Sequence, residues 1–316
     1  ANKYRFIESS SESYYTSSYV DDFDTYSYKF SKNLSNTISL VFDKKTFKLD
    51  AGFRHQLINL GTDRELPAAV GVVIPTENKE NRLGAVGNLE IKLWDKVDVK
   101  SFLEYSNGKS FGNYLRSENL LKLEPIKGYI LDAHVNFQSA IPSFNYLMNP
   151  SFYQNFNYNF SNAQNQSITE IGGKVNLKWF ESSVFANYFR IDNFAYFGTD
   201  FLPKQSSETV NISQIGGEAT LNYWKLKFNT KLLFQSALSQ KELLPMPNFV
   251  GRLNVFYQSK AFKNAAEIQT GFKVYYFSKF KSRDYFPVLN EFVLSNSGTS
   301  IGGQPIADAY FNMKVK

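Results

Sequence analysis

The chain has 316 residues, enough for one large domain or two ordinary ones. It has no cysteine, which excludes a disulfide framework and any thiolate metal site. The net charge of +6 is spread along the chain, which argues against a nucleic-acid surface. No run approaches the ~18 apolar residues of a spanning helix, which excludes a helical membrane protein.

Aromatic residues make up 17% of the chain, yet mean hydropathy is only −0.34. A soluble core draws more on Leu, Ile and Val and less on Tyr. In chain order, the acidic DDFD (21–24) lacks the Gly and terminal Glu of a calcium loop and reads as a solvated turn. A short turn is expected at 43–45, then a long polar connection over 56–83 that carries the apolar PAAVGVVIP (67–75). The run 88–94 (NLEIKLW) alternates strictly, with Leu89, Ile91 and Leu93 on one side and Glu90 and Lys92 on the other. Successive side chains of a strand face opposite ways, so such a run has one apolar and one charged face. A turn at 95–97, a loop at 107–113 and a turn at 124–127 follow. Residues 131–138 alternate again, ahead of a long connection (139–167) that contains the aromatic NPSFYQNFNYNFSN (149–162). That stretch reads either as a loop packed into a pore or as an adhesive patch.

The next two runs repeat each other. TEIGGKVNLKWF (169–180) and SQIGGEATLNYW (213–224) share an Ile-Gly-Gly start, and Ile171 and Ile215 are 44 residues apart. Turns at 181–182 and 224–226 and a loop at 195–211 frame them. The glycine pairs relieve crowding or bend the wall, because no Lys-Ser/Thr or helix follows to make a phosphate cradle. A loop at 238–248 precedes the alternating runs 251–258 and 266–276, which flank a turn at 259–263. A last long connection spans 278–305. Short and long connections alternate throughout, so the 44-residue offset is one hairpin plus its loop.

A β-sandwich would use shorter strands with less Tyr and Phe, and a propeller would need four strands per repeat. The pattern instead predicts an all-β, antiparallel up-and-down transmembrane barrel of about 14–16 strands, forming a single domain over 1–316. Its turns are short and periplasmic and its loops long and extracellular. Trp94, Trp179 and Trp224 each lie beside a short turn, as headgroup-level tryptophans do, although strict parity puts Trp94 and Trp224 off the apolar face. Leu177→Arg is expected to cost ~2–4 kcal/mol if it lies near the midplane, and Lys178→Arg little.

Several segments carry a family resemblance. AGFRHQLINLG (51–61), QSALSQKELLPMPNFVGRLNVFYQS (235–259), YYFSKFKSRDYFPVLNEFVLSN (275–296) and GGQPIADAYFNMKVK (302–316) resemble the putative-porin family of Bacteroidetes outer membranes. That family has a similar order of Gln-containing strand, Leu-Pro-x-Pro-like loop, Tyr-rich strand and Gly-x-Pro before an Asp-containing strand. The resemblance implies an outer-membrane barrel. It also implies at least one strand beyond MKVK (313–316), which stops in mid-alternation. The chain opens on Ala1 rather than Met, so a processed or cut chain is expected; and because such barrels close with an even number of strands, the expectation is a missing C-terminal portion and a complete barrel of about sixteen strands.

No constellation carries catalysis. His55 and His134, the only histidines, have polar neighbours and read as lumen- or rim-facing; Asp132 flanks His134, but no nucleophile is identifiable. No enzyme, cofactor or metal is expected. The polar-face charges are Lys48, Asp50, Arg54, Glu90, Lys92, Lys100, Asp132, Lys174, Lys178, Glu218, Lys227, Lys231, Arg252, Glu267, Lys273, Asp308 and Lys314, a net of about +5. Of these, Lys92, Lys174, Lys178, Glu218, Lys227, Lys231, Arg252, Glu267 and Lys273 are the candidate pore lining. The expected function is a passive channel for small hydrophilic solutes with weak anion preference. The alternative is a non-conducting docking barrel in a surface or secretion assembly. Expected partners are outer-membrane lipid and lipopolysaccharide, with protein contacts at loops 56–83 and 139–167, and no nucleic acid.

Overall fold

The computed structural model describes residues 2–8, 25–62, 76–151 and 153–315. DDFD (21–24) and PAAVGVVIP (67–75) fall outside them. Seven strands come first: β1 (Asn2–Glu8), β2 (Thr25–Lys44), β3 (Phe47–Thr62), β4 (Glu77–Leu93), β5 (Val97–Ser106), β6 (Tyr114–Ile126) and β7 (Tyr129–Ala140). A one-turn helix, α1 (Phe144–Leu147), and two short strands, β8 (Met148–Asn149) and β9 (Tyr158–Asn159), lie in the connection to β10 (Gln166–Leu177). Then come β11 (Ser182–Asp192), the short β12 (Ala195–Phe197) and β13 (Pro203–Gln205), and the long β14 (Val210–Tyr223), β15 (Leu226–Ala237), β16 (Phe249–Ala261) and β17 (Ala266–Phe277). Four short strands, β18 (Phe280–Lys281), β19 (Asp284–Phe286), β20 (Glu291–Val293) and β21 (Ser300–Ile301), precede β22 (Ile306–Val315).

The fourteen long strands form one antiparallel sheet in sequence order, each paired to the next. β1 and β22 are its two edges and, among the described residues, do not pair with each other. Directly opposed residues share a face, so the registers carry one face around the wall. Ile171 stands opposite Val135 and Tyr188; Phe53 stands opposite Ile38 and Ala85. This face is apolar and uncovered: Ile38, Leu40, Phe53, Leu83, Ile171, Ile215 and Phe272 are all exposed. Exposed apolar side chains on every second residue belong in lipid. The other face carries the charges and is the inner one.

The turns match the expected positions to within a few residues, and the loops 107–113, 238–248 and 278–305 have the expected bounds. The connection at 56–83 is different. β3 runs on to Thr62 and β4 starts at Glu77, so both ends of that polar stretch, 56–62 and 77–83, are strand extending above the apolar band. The tryptophan parity also resolves here. Trp94 (φ 53°) and Trp224 (φ 54°) sit in left-handed turns, where strand alternation has ended, and both are largely exposed. With Trp179, Phe180, Tyr223 and Phe262 they form an aromatic girdle at the turn end.

The Ile-Gly-Gly pairs have a steric reason. A Cβ on the inward Gly216 would lie 2.6 Å from Phe185 Cζ, and one on the inward Gly172 would lie 2.6 Å from His134 Cε1. Each glycine lets a large neighbour lie flat on the wall.

Candidate functional site: the inner face and its cap

The inner face is built from cross-strand charge rows. Lys92 stands opposite Asp98, which stands opposite Lys122; Lys122 faces Asp132, and Asp132 faces Lys174. A second row runs Asp43, Lys48, Glu90, Lys100 across β2 to β5, and a third runs Lys260, Glu267, Lys314. Opposite charges directly across a strand pair stabilise the sheet, and they also cancel much of the field along it. Glu218 continues the wall, 3.7 Å from Lys174 Nζ and paired with Lys231. Arg54 reaches Glu104 on the same face.

Of the candidate lining residues, Lys92, Lys174, Glu218, Lys227, Lys231, Arg252, Glu267 and Lys273 all sit on this face. Lys178 does not. It follows the end of β10 at Leu177 and caps the 3₁₀ turn, so its strand parity has no meaning. The registers add Lys29, Asp43, Glu80, Arg82, Asp98, Glu104, Arg116, Glu118, Lys122, Glu170 and Lys260 to the face. Acids slightly outnumber bases among these, so the positive excess is smaller than the sequence reading gives. His134 is on the inner face, 3.3 Å from Glu170 Oε1. His55 is on the outer face, opposite Leu83 and hydrogen-bonded to Asn81 Oδ1 at 2.8 Å, near the loop-side rim.

The loop end is not an open mouth of separate loops. β13, β12, β20 and β19 form a four-stranded sheet from two different connections. Tyr153, Tyr158, Phe197, Phe286, Val288, Leu289 and Val293 are buried together beneath it, and Tyr146 stacks on Phe197 at 4.5 Å. Within the aromatic stretch 149–162, Tyr153, Phe156 and Tyr158 are thus packed against residues of other loops. A second cluster seats Leu244 and Met246 of the 238–248 loop on inward-facing Ile191, Val210 and Ile212, so this loop turns in over the lumen. The 107–113 loop does likewise. Glu80 accepts from the backbone N–H groups of Lys109 and Phe111, both at 2.7 Å; Arg82 donates to the carbonyls of Phe111 (2.9 Å) and Gly112 (2.8 Å). Glu80 and Arg82 are buried and bonded to each other, a clamp the sequence reading left inside its supposed loop.

Glu291 accepts from Asn145 Nδ2 at 2.8 Å, and its charge is felt by Lys29, which lies on the inner side of β2 five residues beyond Leu34 and so above the apolar band. Burial lowers the Lys29 ammonium to about 7 against the opposing pull of Glu291. Burial, with Glu291 nearby, also pushes the Tyr158 hydroxyl well above its usual range.

The sequence pattern of a known family, described as "Putative porin", matches residues 1–316. The chain belongs to that family. No curated protein gives a significant sequence match. Among solved structures, the fold is similar to the ferric enterobactin receptor PfeA from Pseudomonas aeruginosa, at TM-score 0.68 and 12% identity over 99% of this chain and 51% of that one. It is similar to the siderophore receptor PirA from Acinetobacter baumannii, at TM-score 0.63 and 10% identity over 94% and 50%. The copper transporter OprC matches at TM-score 0.61 and 11% identity over 91% and 48%. The chain spans about half the length of these structures. Family and fold together make it an outer-membrane β-barrel.

Proposed function

We propose that residues 1–316, as one barrel domain, wall a channel that passes small hydrophilic solutes by passive diffusion with a weak preference for anions. The observation that carries this is an inner face that bears charged residues on every long strand from β2 to β22 except β11, against a largely apolar outer one. Buried charges without water would be far more costly than any packing gain, so such a face belongs against solvent. The alternating rows hold most charges in pairs. The positive charge with no acid directly across from it lies on β15 and β16, at Lys227 and Arg252, whereas Lys273 stands opposite Asp308. Salt at ~0.15 M screens over about 8 Å, so a wide lumen feels this excess only mildly. Planar-bilayer recordings of purified protein test it: steady conductance with a reversal potential slightly on the anion side is expected, and clear cation selectivity contradicts it.

A second reading is favoured by the cap. Five connections fold inward or onto one another, and a lumen sealed by them would make a non-conducting barrel that docks a protein partner at loops 56–83 and 139–167. The same recordings separate the two. Absence of conductance that returns on deleting 284–293 supports a sealed barrel.

A further inference from the structure

The inner face of β10, β11 and β14 to β17 forms the concave wall of an open cavity of about 700 Å³, the size range of small-ligand sites. Its basic side is Lys174, Lys231 and Arg252; its apolar side includes Phe185, Tyr275 and Phe277. Glu218 is the one acid among the lining residues and is already committed to Lys231 and Lys174. Arg252 stands directly across from Lys231 on one side and Tyr275 on the other. Like charges opposed on neighbouring strands repel, and the one nearby acid, Glu218, is shared by Lys231, Lys174 and Arg252, which leaves three cations on one carboxylate. Arg252 Nη2 donates to Asn229 Oδ1, but its Nε is buried without an acceptor. A buried donor left bare beside a mainly apolar cavity marks a place where an acceptor is wanted.

We propose that this cavity is a binding site for a small monocarboxylate with an apolar, preferably aromatic, body. The planar carboxylate suits the partly exposed guanidinium of Arg252, which favours such an oxyanion over a neutral donor. It also relieves the Lys231–Arg252 repulsion. The ring then lies against Phe185, Tyr275 and Phe277, surfaces that a fully hydrated inorganic anion cannot use. Phe185 is held flat by the absence of a side chain at Gly216, so the apolar wall is preformed.

The proposal rests on the reading of this face as a wetted lumen, and the test keeps the two apart. Titration calorimetry of the purified full chain in detergent uses benzoate as probe, with benzyl alcohol and sulfate for comparison. Saturable benzoate binding is expected, with both comparison compounds at least about tenfold weaker. Arg252→Gln, or Lys174→Gln should that variant not fold, weakens benzoate at least about tenfold. Phe277→Ala weakens benzoate more than acetate, and Lys127→Gln, in a turn, changes nothing. Equal binding of benzyl alcohol, no saturation by benzoate, or an unaffected Arg252→Gln overturns the site. Conductance without benzoate binding removes only the site; benzoate binding without conductance removes only the open channel.

Discussion

An arginine at Ile171 is the sharpest probe of which face meets lipid. Ile171 lies on the outer face between Val135 and Tyr188 and is 50% exposed. Six residues separate it from Leu177, the last residue of β10. At ~3.4 Å per residue and ~45° tilt, that places it ~14 Å above the turn girdle, the middle of a band ~25 Å tall. Ile171→Arg should then cost ~2–4 kcal/mol, while Leu177→Arg, at the interface, should cost ~0–1 kcal/mol. The larger cost suggested for Leu177 by the sequence requires the midplane, which the turn position rules out. Gln214, on the inner face at nearly the same height, bonds Gln235 Oε1 at 3.0 Å and has room in the lumen for an arginine. Gln214→Arg should cost less than about 1 kcal/mol. Equilibrium unfolding from lipid vesicles in urea, followed by tryptophan fluorescence, gives all three values. Equal costs at Ile171 and Leu177, or at Ile171 and Gln214, would refute the assignment of depth or of face.

Three further outcomes are expected. Glu80→Ala leaves Arg82 buried without its partner and two backbone donors of the 107–113 loop without an acceptor; a local loss of ~3–5 kcal/mol should appear as fast hydrogen exchange at Lys109 and Phe111. Gly216→Ala forces a Cβ to within 2.6 Å of both Phe185 Cζ and the Leu232 carbonyl, and should destabilise the barrel by ~1–3 kcal/mol in the same unfolding assay. Lys29 is lowered from 10.5 to about 7 in the fold, so the unfolded cap binds the extra proton between those values and closure strengthens as pH rises through them. Protection of residues 284–293 from proteolysis should therefore increase from pH 7 to 9.5, and Lys29→Met should abolish that dependence.

Much of the wall is legible in the sequence because it is written locally. NLEIKLW and GGKVNLKW each state both faces within a few residues, and the three Trp mark the turns. The upper parts of β3 and β4 are hidden because alternation above the lipid band pairs polar with polar: Lys79 and Asn81 face outward, Glu80 and Arg82 inward. The Glu80–Arg82 clamp was detectable only by extending the even-numbered inner face back from Glu90 through Val86 and Arg82. The cap leaves no local trace. Asn145 meets Glu291 across 146 positions, and Tyr153, Phe197 and Leu289 share a core without any common period. Lys178 was misplaced for a simpler reason, since parity stops where the strand does.

The central claim is that the charged face lines water and the apolar face meets lipid. Because the chain has no cysteine, single cysteines along β15 report each position without background. In proteoliposomes, a membrane-impermeant thiol reagent should label Lys227→Cys, Asn229→Cys and Lys231→Cys, and leave Phe228→Cys, Thr230→Cys and Leu232→Cys unmodified. Uniform labelling along the strand, or labelling of the even-numbered positions instead, would contradict the account.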